Sequence, residues 1–190
     1  MAMVVVVTLG MISLTGCENT TPTPQEREAI TKTVRQYLNQ LSDAYTNMDA
    51  RRLKGVASKG EMAAVSKVLH RLAMSGDRLE ASLRRVDFED IEVFRVVNAT
   101  VKLLEVWDVR RLDAFNGKEK GRNPNTIQHS VIQLRKIDGK WLVTFRSVLE
   151  TQGGSKWGVA TPPAHTGEAS ATPPAQESTG AVSTPAAKNP

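Results

Sequence analysis

The chain carries one cysteine, Cys17, in 190 residues, so no intramolecular disulfide exists within it. Its three histidines and single cysteine form no cluster with metal-ligand spacing, which argues against structural zinc. A glycine-rich phosphate loop and a Gly-x-Ser-x-Gly nucleophile turn are both missing. Basic residues are in excess, with a net charge of +5, yet they never gather into a block. The pairs Arg51-Arg52, Arg84-Arg85 and Arg110-Arg111 sit beside Asp49, Asp87, Glu89, Asp90, Asp108 and Asp113, the pattern of a mixed solvated surface. Nucleic acid is therefore not an expected partner. The marked apolar run, Val4 to Leu14, has 11 residues, and a spanning helix needs roughly 20.

What is present begins with that run. Its length suits the hydrophobic region of a secretory leader, although no Lys or Arg precedes it and the first charge is Glu18. It ends in Leu14-Thr15-Gly16-Cys17 and passes at once into polar ENTTPTPQE. The string Leu-Thr-Gly-Cys resembles the lipobox of bacterial lipoproteins, with an aliphatic residue, two small residues and then cysteine. The resemblance implies cleavage between Gly16 and Cys17, a thioether-linked diacylglyceryl group on Cys17, and acylation of the new N-terminus. A thiolate is the required nucleophile, and two or more acyl chains make anchoring stable where one is marginal. Glu18 is not the Asp of an inner-membrane retention signal. In a host with two membranes, the implied place is the outer membrane, facing the periplasm.

Residues 17–24 have linker composition. From Gln25 to about Asn47, Ile30, Val34, Tyr37, Leu38, Leu41, Ala44, Tyr45 and Met48 recur at three and four, which predicts an amphipathic helix. Pro24 and the acids Glu26 and Glu28 suit its start. A short helical turn through Leu53 and a second helix over 61–74 follow, the latter closed by Ser75-Gly76-Asp77. From about Leu79 the pattern turns to strands, the clear runs being Val86 to Val97, Ala99 to Phe115, Ile127 to Ile137 and Trp141 to Leu149. An open polar loop is expected over 116–125, and a two-residue hairpin at Asp138-Gly139. On the last strand, alternation puts Trp141, Val143, Phe145 and Leu149 on one face and Arg146 on the other. Residues 152–190 form the tail. Of the 30 residues from Thr161 to Pro190, 23 are Ala, Pro, Thr, Ser or Gly and none is aromatic, so a disordered segment is expected there.

Helices followed by antiparallel strands make an α+β domain, expected over 25–151 with two helices on a curved sheet of four to five strands. The order resembles the nuclear transport factor 2-like superfamily, which includes SnoaL-like proteins and ketosteroid isomerase. The residues that carry this are the first helix ending at Tyr45-Thr46-Asn47-Met48-Asp49, the strands meeting at Asn98-Ala99, and the closing hairpin Leu134 to Trp141. The resemblance implies a sheet bent into a cone around the long helix, and assembly as a homodimer through the outer sheet face. Such a shape hosts isomerases, dehydratases and plain binding modules, so it does not assign an activity.

Candidate pocket residues are Tyr37 and Tyr45 from the first helix, Glu105, Trp107 and Arg111 from one face of the second strand, and His129 from its neighbour. An acid and an imidazole in an apolar cone would suit proton transfer. Packing roles compete with that reading for each residue: core for Tyr37, Tyr45 and Trp107, a cross-strand ion pair for Glu105, a partly exposed strand position for His129. His70 and His165 have no partner signal. The expectation is a lipid-anchored envelope protein whose domain binds a small molecule or a protein, with no cofactor. The alternative is an envelope isomerase or dehydratase using the cone. A deep cone joining Glu105 to His129 favours the enzyme, and a filled cone with an open sheet face favours the binding module.

Overall fold

Thr23 starts the first helix with a capping box: its hydroxyl accepts from the Glu26 amide, and the Glu26 carboxylate accepts in return from the Thr23 N–H at 3.0 Å. Pro24, whose fixed φ suits the first helical position, opens α1 (Pro24–Asn47). Ile30, Val34, Tyr37, Leu38, Leu41, Ala44 and Tyr45 form its buried stripe. Met48 stops it in the left-handed region (φ 53°). Asp49 caps a 3₁₀ turn (Ala50–Leu53), and Ser58 caps α2 (Lys59–Met74) by accepting from the Glu61 amide at 3.2 Å. That cap starts α2 two residues before the apolar pattern does.

This computed structural model describes residues 19–153. The strands are β1 (Asn19–Thr20), β2 (Asp77–Phe94), β3 (Asn98–Asp113), β4 (Glu119–Ile137) and β5 (Lys140–Gln152), in one antiparallel sheet in chain order. Strands of 18, 16, 19 and 13 residues are long. They curl because their ladders shift register, at Leu83/Arg85 and Phe88/Asp90 between β2 and β3 and at three further places up to Gln133/Leu134 between β4 and β5, excluding the additional shift at Arg111/Leu112. Both helices pack on the inner face, where α1 and α2 share one core with Val101, Leu103, Trp107, Ile132, Leu134, Trp141 and Val143. This is the α+β arrangement expected, and the tight Asp138-Gly139 turn is there with φ of 50° and 76°.

Three expectations need correction. β2 begins at Asp77 rather than Val86, because its first half alternates buried Asp77, Leu79 and Ala81 with charged Arg78 and Glu80, and the charges hide the strand period. The polar stretch expected as loop 116–125 is mostly strand from Glu119, where Asn123 and Thr126 turn inward and are buried. The spacer read over 17–24 is tied down from Asn19 onward: β1 pairs with Phe94 and Val93, and Pro22 is buried. The leader, Gly16, Cys17 and the Thr161–Pro190 tail with His165 lie outside the described residues.

Candidate functional site

The inner face of β3 carries Val101, Leu103, Glu105, Trp107 and Val109, all buried. A lone carboxylate in that row must find partners, since an unpaired buried charge costs several kcal/mol or more. Glu105 finds four donors. The Trp107 indole N–H donates to Oε2 at 2.6 Å, the Ser130 hydroxyl donates to Oε1, and the Arg146 guanidinium donates to Oε1 at 3.3 Å and to Oε2 at 2.6 Å. Arg146 also donates to Gln128 Oε1 at 2.9 Å, while the buried Gln128 Nε2 has no hydrogen-bond partner. Burial alone would pull the Arg146 value down, but the Glu105 carboxylate more than restores it, so the guanidinium is held charged above its ordinary range.

Arg146 is the residue that sequence alternation misplaced. Between β4 and β5, Gln133 pairs with Phe145 but Leu134 pairs with Val143, leaving Thr144 as an extra residue. This bulge reverses the phase of β5. Trp141 and Val143 face the core before it, Arg146 faces the core after it, and Leu149 is left exposed. A sequence signal existed in retrospect. Glu105 is a single acid in an apolar face and Arg146 a single cation in Trp141 to Leu149, and each answers the other. Gln128 and Ser130 escape notice for a simpler reason: over 126–130 of β4 the polar residues point inward, before Ile132 and Leu134 restore the apolar pattern.

The helices add a second buried pair. Tyr37 Oη donates to Glu61 Oε1 at 2.5 Å, linking α1 to the first turn of α2. Burial pushes the Tyr37 phenol well above its ordinary value, and the Glu61 charge adds to this. Burial also raises Tyr45, to about 12, against a lowering pull from Arg146.

The remaining candidates lie elsewhere. His129 is on the outer face, opposite to Glu105, with Nδ1 3.4 Å from Glu89 Oε1. Parity decides this: Gln128, Ser130 and Ile132 are the buried set on β4. Among the described residues no acid and imidazole meet across a cone. Arg111 shares the Trp107 side of β3 but sits at its far end, half-exposed and paired with Asp77, which also receives Lys120 Nζ at 3.0 Å. Burial pushes the Asp77 carboxyl up, yet these hydrogen bonds outweigh it and hold it below the usual carboxylate value. His70 is exposed beside an open groove with Asn47, Met48, Asp49 and Leu69, away from the buried network. Among the described residues no group of three or more His, Cys, Asp or Glu is placed to hold a metal.

The geometry decides what this network can do chemically. Exposure is 0% for Glu105, 1% for Trp107, 0% for Gln128 and 2% for Arg146, so no water-sized space adjoins the carboxylate. Four donors also fill the roughly four acceptor positions of a carboxylate. Glu105 as it stands is a structural anion.

No protein-family model matches the chain, and no curated protein matches it. Solved structures do resemble it. The intermembrane space region of chloroplast protein ARC6 is 16% identical, with 67% of this chain and 98% of that one covered at a TM-score of 0.54. A nuclear transport factor 2-like superfamily protein from Salmonella enterica is 15% identical over 70% and 94%, with a TM-score of 0.44. A proposed scytalone dehydratase from Novosphingobium aromaticivorans is 14% identical over 69% and 89%, with a TM-score of 0.37. At these identities the likeness concerns the fold alone.

Proposed function

We propose that this chain is a lipid-anchored protein of the bacterial envelope whose domain binds a protein partner and catalyses nothing. The observation that carries the non-catalytic half is the sealed Glu105: fully buried and saturated by Trp107, Ser130 and Arg146, it has neither access nor a free acceptor position. The opposite face of the sheet supports a protein partner. By register, Leu104, Val106, Ile127, Val131 and Phe145 lie together there, half-buried, and the helices pack on the other side. An open apolar strip with charged neighbours is the usual anatomy of a docking face, and it suits a second copy of this chain or another envelope protein. The anchor rests on the Leu14-Thr15-Gly16-Cys17 string.

Intact mass of membrane-extracted protein tests the anchor, the expected result being loss of the residues before Cys17 and gain of acyl mass. A photo-crosslinking side chain at Leu104 or Val131 tests the docking face, and a discrete protein adduct in intact cells is expected. Isomerase or dehydratase turnover that disappears in a folded Glu105→Gln variant is the result that overturns the non-catalytic reading.

A further inference from the structure

At one end of the sheet the β2–β3 and β4–β5 hairpin tips lie side by side, joined by the Lys136 N–H donating to the Val97 carbonyl at 2.7 Å. Apolar side chains stand in solvent there: Val96 is 63% exposed, and Val97 and Ile137 are 40% exposed. Around them, residues 95–97 and 135–140 hold four basic side chains, Arg95, Arg135, Lys136 and Lys140, against one acid, Asp138, a net charge of +3. Glu26, the acid of α1 that feels the Lys136 charge, is engaged in its capping box. Exposed aliphatics ringed by Lys and Arg match the two layers of an anionic bilayer surface, acyl boundary and phosphate.

The turn itself breaks a local rule. Arg95 and Val96 have φ of 49° and 62°, and Val97 N–H donates to the Phe94 carbonyl at 3.3 Å, the φ signature of a type I′ turn. Asn-Gly is the residue pair that this turn favours, and a β-branched residue at positive φ is a steric outlier. A valine kept there against its backbone preference points to a role for its side chain.

The chain path supplies the direction. Asn19 pairs with Phe94, next to this turn, so the segment that follows Cys17 in the sequence joins the sheet at this end. Phe115 and Met74, also exposed, sit at the other end, on the order of 50 Å of strand away.

We propose that the tips formed by residues 95–97 and 135–140 dock on the anionic surface of a lipid bilayer, so that the domain stands end-on with a fixed orientation. This rests on the reading of Cys17 as the anchor and adds a second contact to it.

The test uses the full chain on vesicles of phosphatidylglycerol and phosphatidylethanolamine bearing a lipid-chain quencher. Val96→Cys or Phe115→Cys carries an environment-sensitive fluorophore, Cys17 being blocked by its own acylation. Fluorophores at 96 should be quenched several-fold more than those at 115. The quenching should fall about fivefold for each charge removed by Arg95→Gln, Arg135→Gln, Lys136→Gln or Lys140→Gln. Equal quenching at 96 and 115 on acylated protein overturns the docking and leaves the anchor standing. If intact mass shows no acyl group, the anchor fails separately. The same comparison in a Cys17→Ser background then decides the tips: preferential quenching at 96 sustains them, and equal quenching overturns them.

Discussion

Glu105 and Arg146, 41 residues apart in sequence, meet in the centre of the domain at 2.6 Å with side chains 0% and 3% exposed. The pair joins β3 to β5 across β4, and Gln128 and Ser130 of β4 complete it. Such a pair is a poor source of net stability, since desolvation opposes attraction, but breaking it is costly. It specifies the register of three strands. A one-residue slip of β5 would expose Arg146 and leave Glu105 buried alone.

Removing one partner should therefore cost more than removing both. Glu105→Ala or Arg146→Ala is expected to destabilise the domain by about 3–5 kcal/mol. Glu105→Leu with Arg146→Met should recover most of that loss. Urea unfolding followed by tryptophan fluorescence measures it, because Trp107 donates directly to Glu105. A double variant whose cost equals the sum of the two single costs would show that the pair is not coupled.

The two tyrosines in the chain are both in the core, so phenolate absorbance reports on them alone. Free tyrosine titrates near pH 10. Tyr45 is raised to about 12 by burial, and burial with the Glu61 charge pushes Tyr37 well above its ordinary value. Above pH 10 the unfolded chain loses protons that the folded chain keeps, so stability falls as pH rises. For Tyr45 the two-unit difference amounts to about 3 kcal/mol, lost between pH 10 and 12. Absorbance near 295 nm should stay flat through pH 10.5 and rise together with loss of fold. A Tyr45→Phe variant should show a shallower decline over that interval.

His129 supplies the contrast. Its side chain is 33% exposed on the outer face with Glu89 as its neighbour, a surface contact of small worth. His129→Ala is expected to change stability by no more than about 0.5 kcal/mol. A loss of several kcal/mol in urea unfolding would contradict the outward placement.

The helices were legible because their information is local. The α1 stripe, the Pro24, Glu26 and Glu28 start and the Gly76 stop are all read within a few residues of one another. The Asp138-Gly139 turn was legible for the same reason. The interior network was half-legible: Glu105, Trp107, Tyr37 and Tyr45 were named from spacing. Arg146 was not, since a single extra residue at Thr144 inverts everything after it, and a bulge leaves no mark in composition. Charge also misled. Asp77, Arg78 and Glu80 show no strand period of their own, and their partners Arg110, Arg111 and Lys120 are found only across the ladder.

Asp77 should make that cross-ladder network acid-sensitive. Its carboxyl is 3% exposed and bonded to Arg111 and Lys120, which hold its folded value below the unfolded one despite burial. A carboxylate lowered in this way contributes stability above its unfolded value near pH 4, and that contribution is lost as pH falls below it. Asp77→Asn is expected to cost about 1–3 kcal/mol at pH 7. The difference from the parent chain should shrink as pH falls from about 4, where the unfolded chain takes up the proton, through the lower folded value, where the folded parent takes it up as well. A gap that stays constant from pH 7 to pH 3 would assign the loss to packing.

The Phe94–Val97 turn offers the opposite sign. Its two central residues, Arg95 and Val96, hold positive φ, which costs a non-glycine residue of order 1–3 kcal/mol. Replacing the pair by Asn-Gly supplies the residues this geometry favours, with Gly at the position where Val is most strained. Glycine also loses more entropy on folding, which offsets part of the gain. A net stabilisation of about 1 kcal/mol is expected for the Arg95→Asn, Val96→Gly double variant in urea unfolding. The same variant removes an exposed aliphatic and a cation from the proposed lipid contact. A turn selected for stability alone would have no reason to avoid Asn-Gly, so a gain in stability accompanied by weaker lipid quenching from a fluorophore at the neighbouring Ile137→Cys position ties the strain to the surface. A loss of stability would mean that Val96 is held by packing, not by its contact with a membrane.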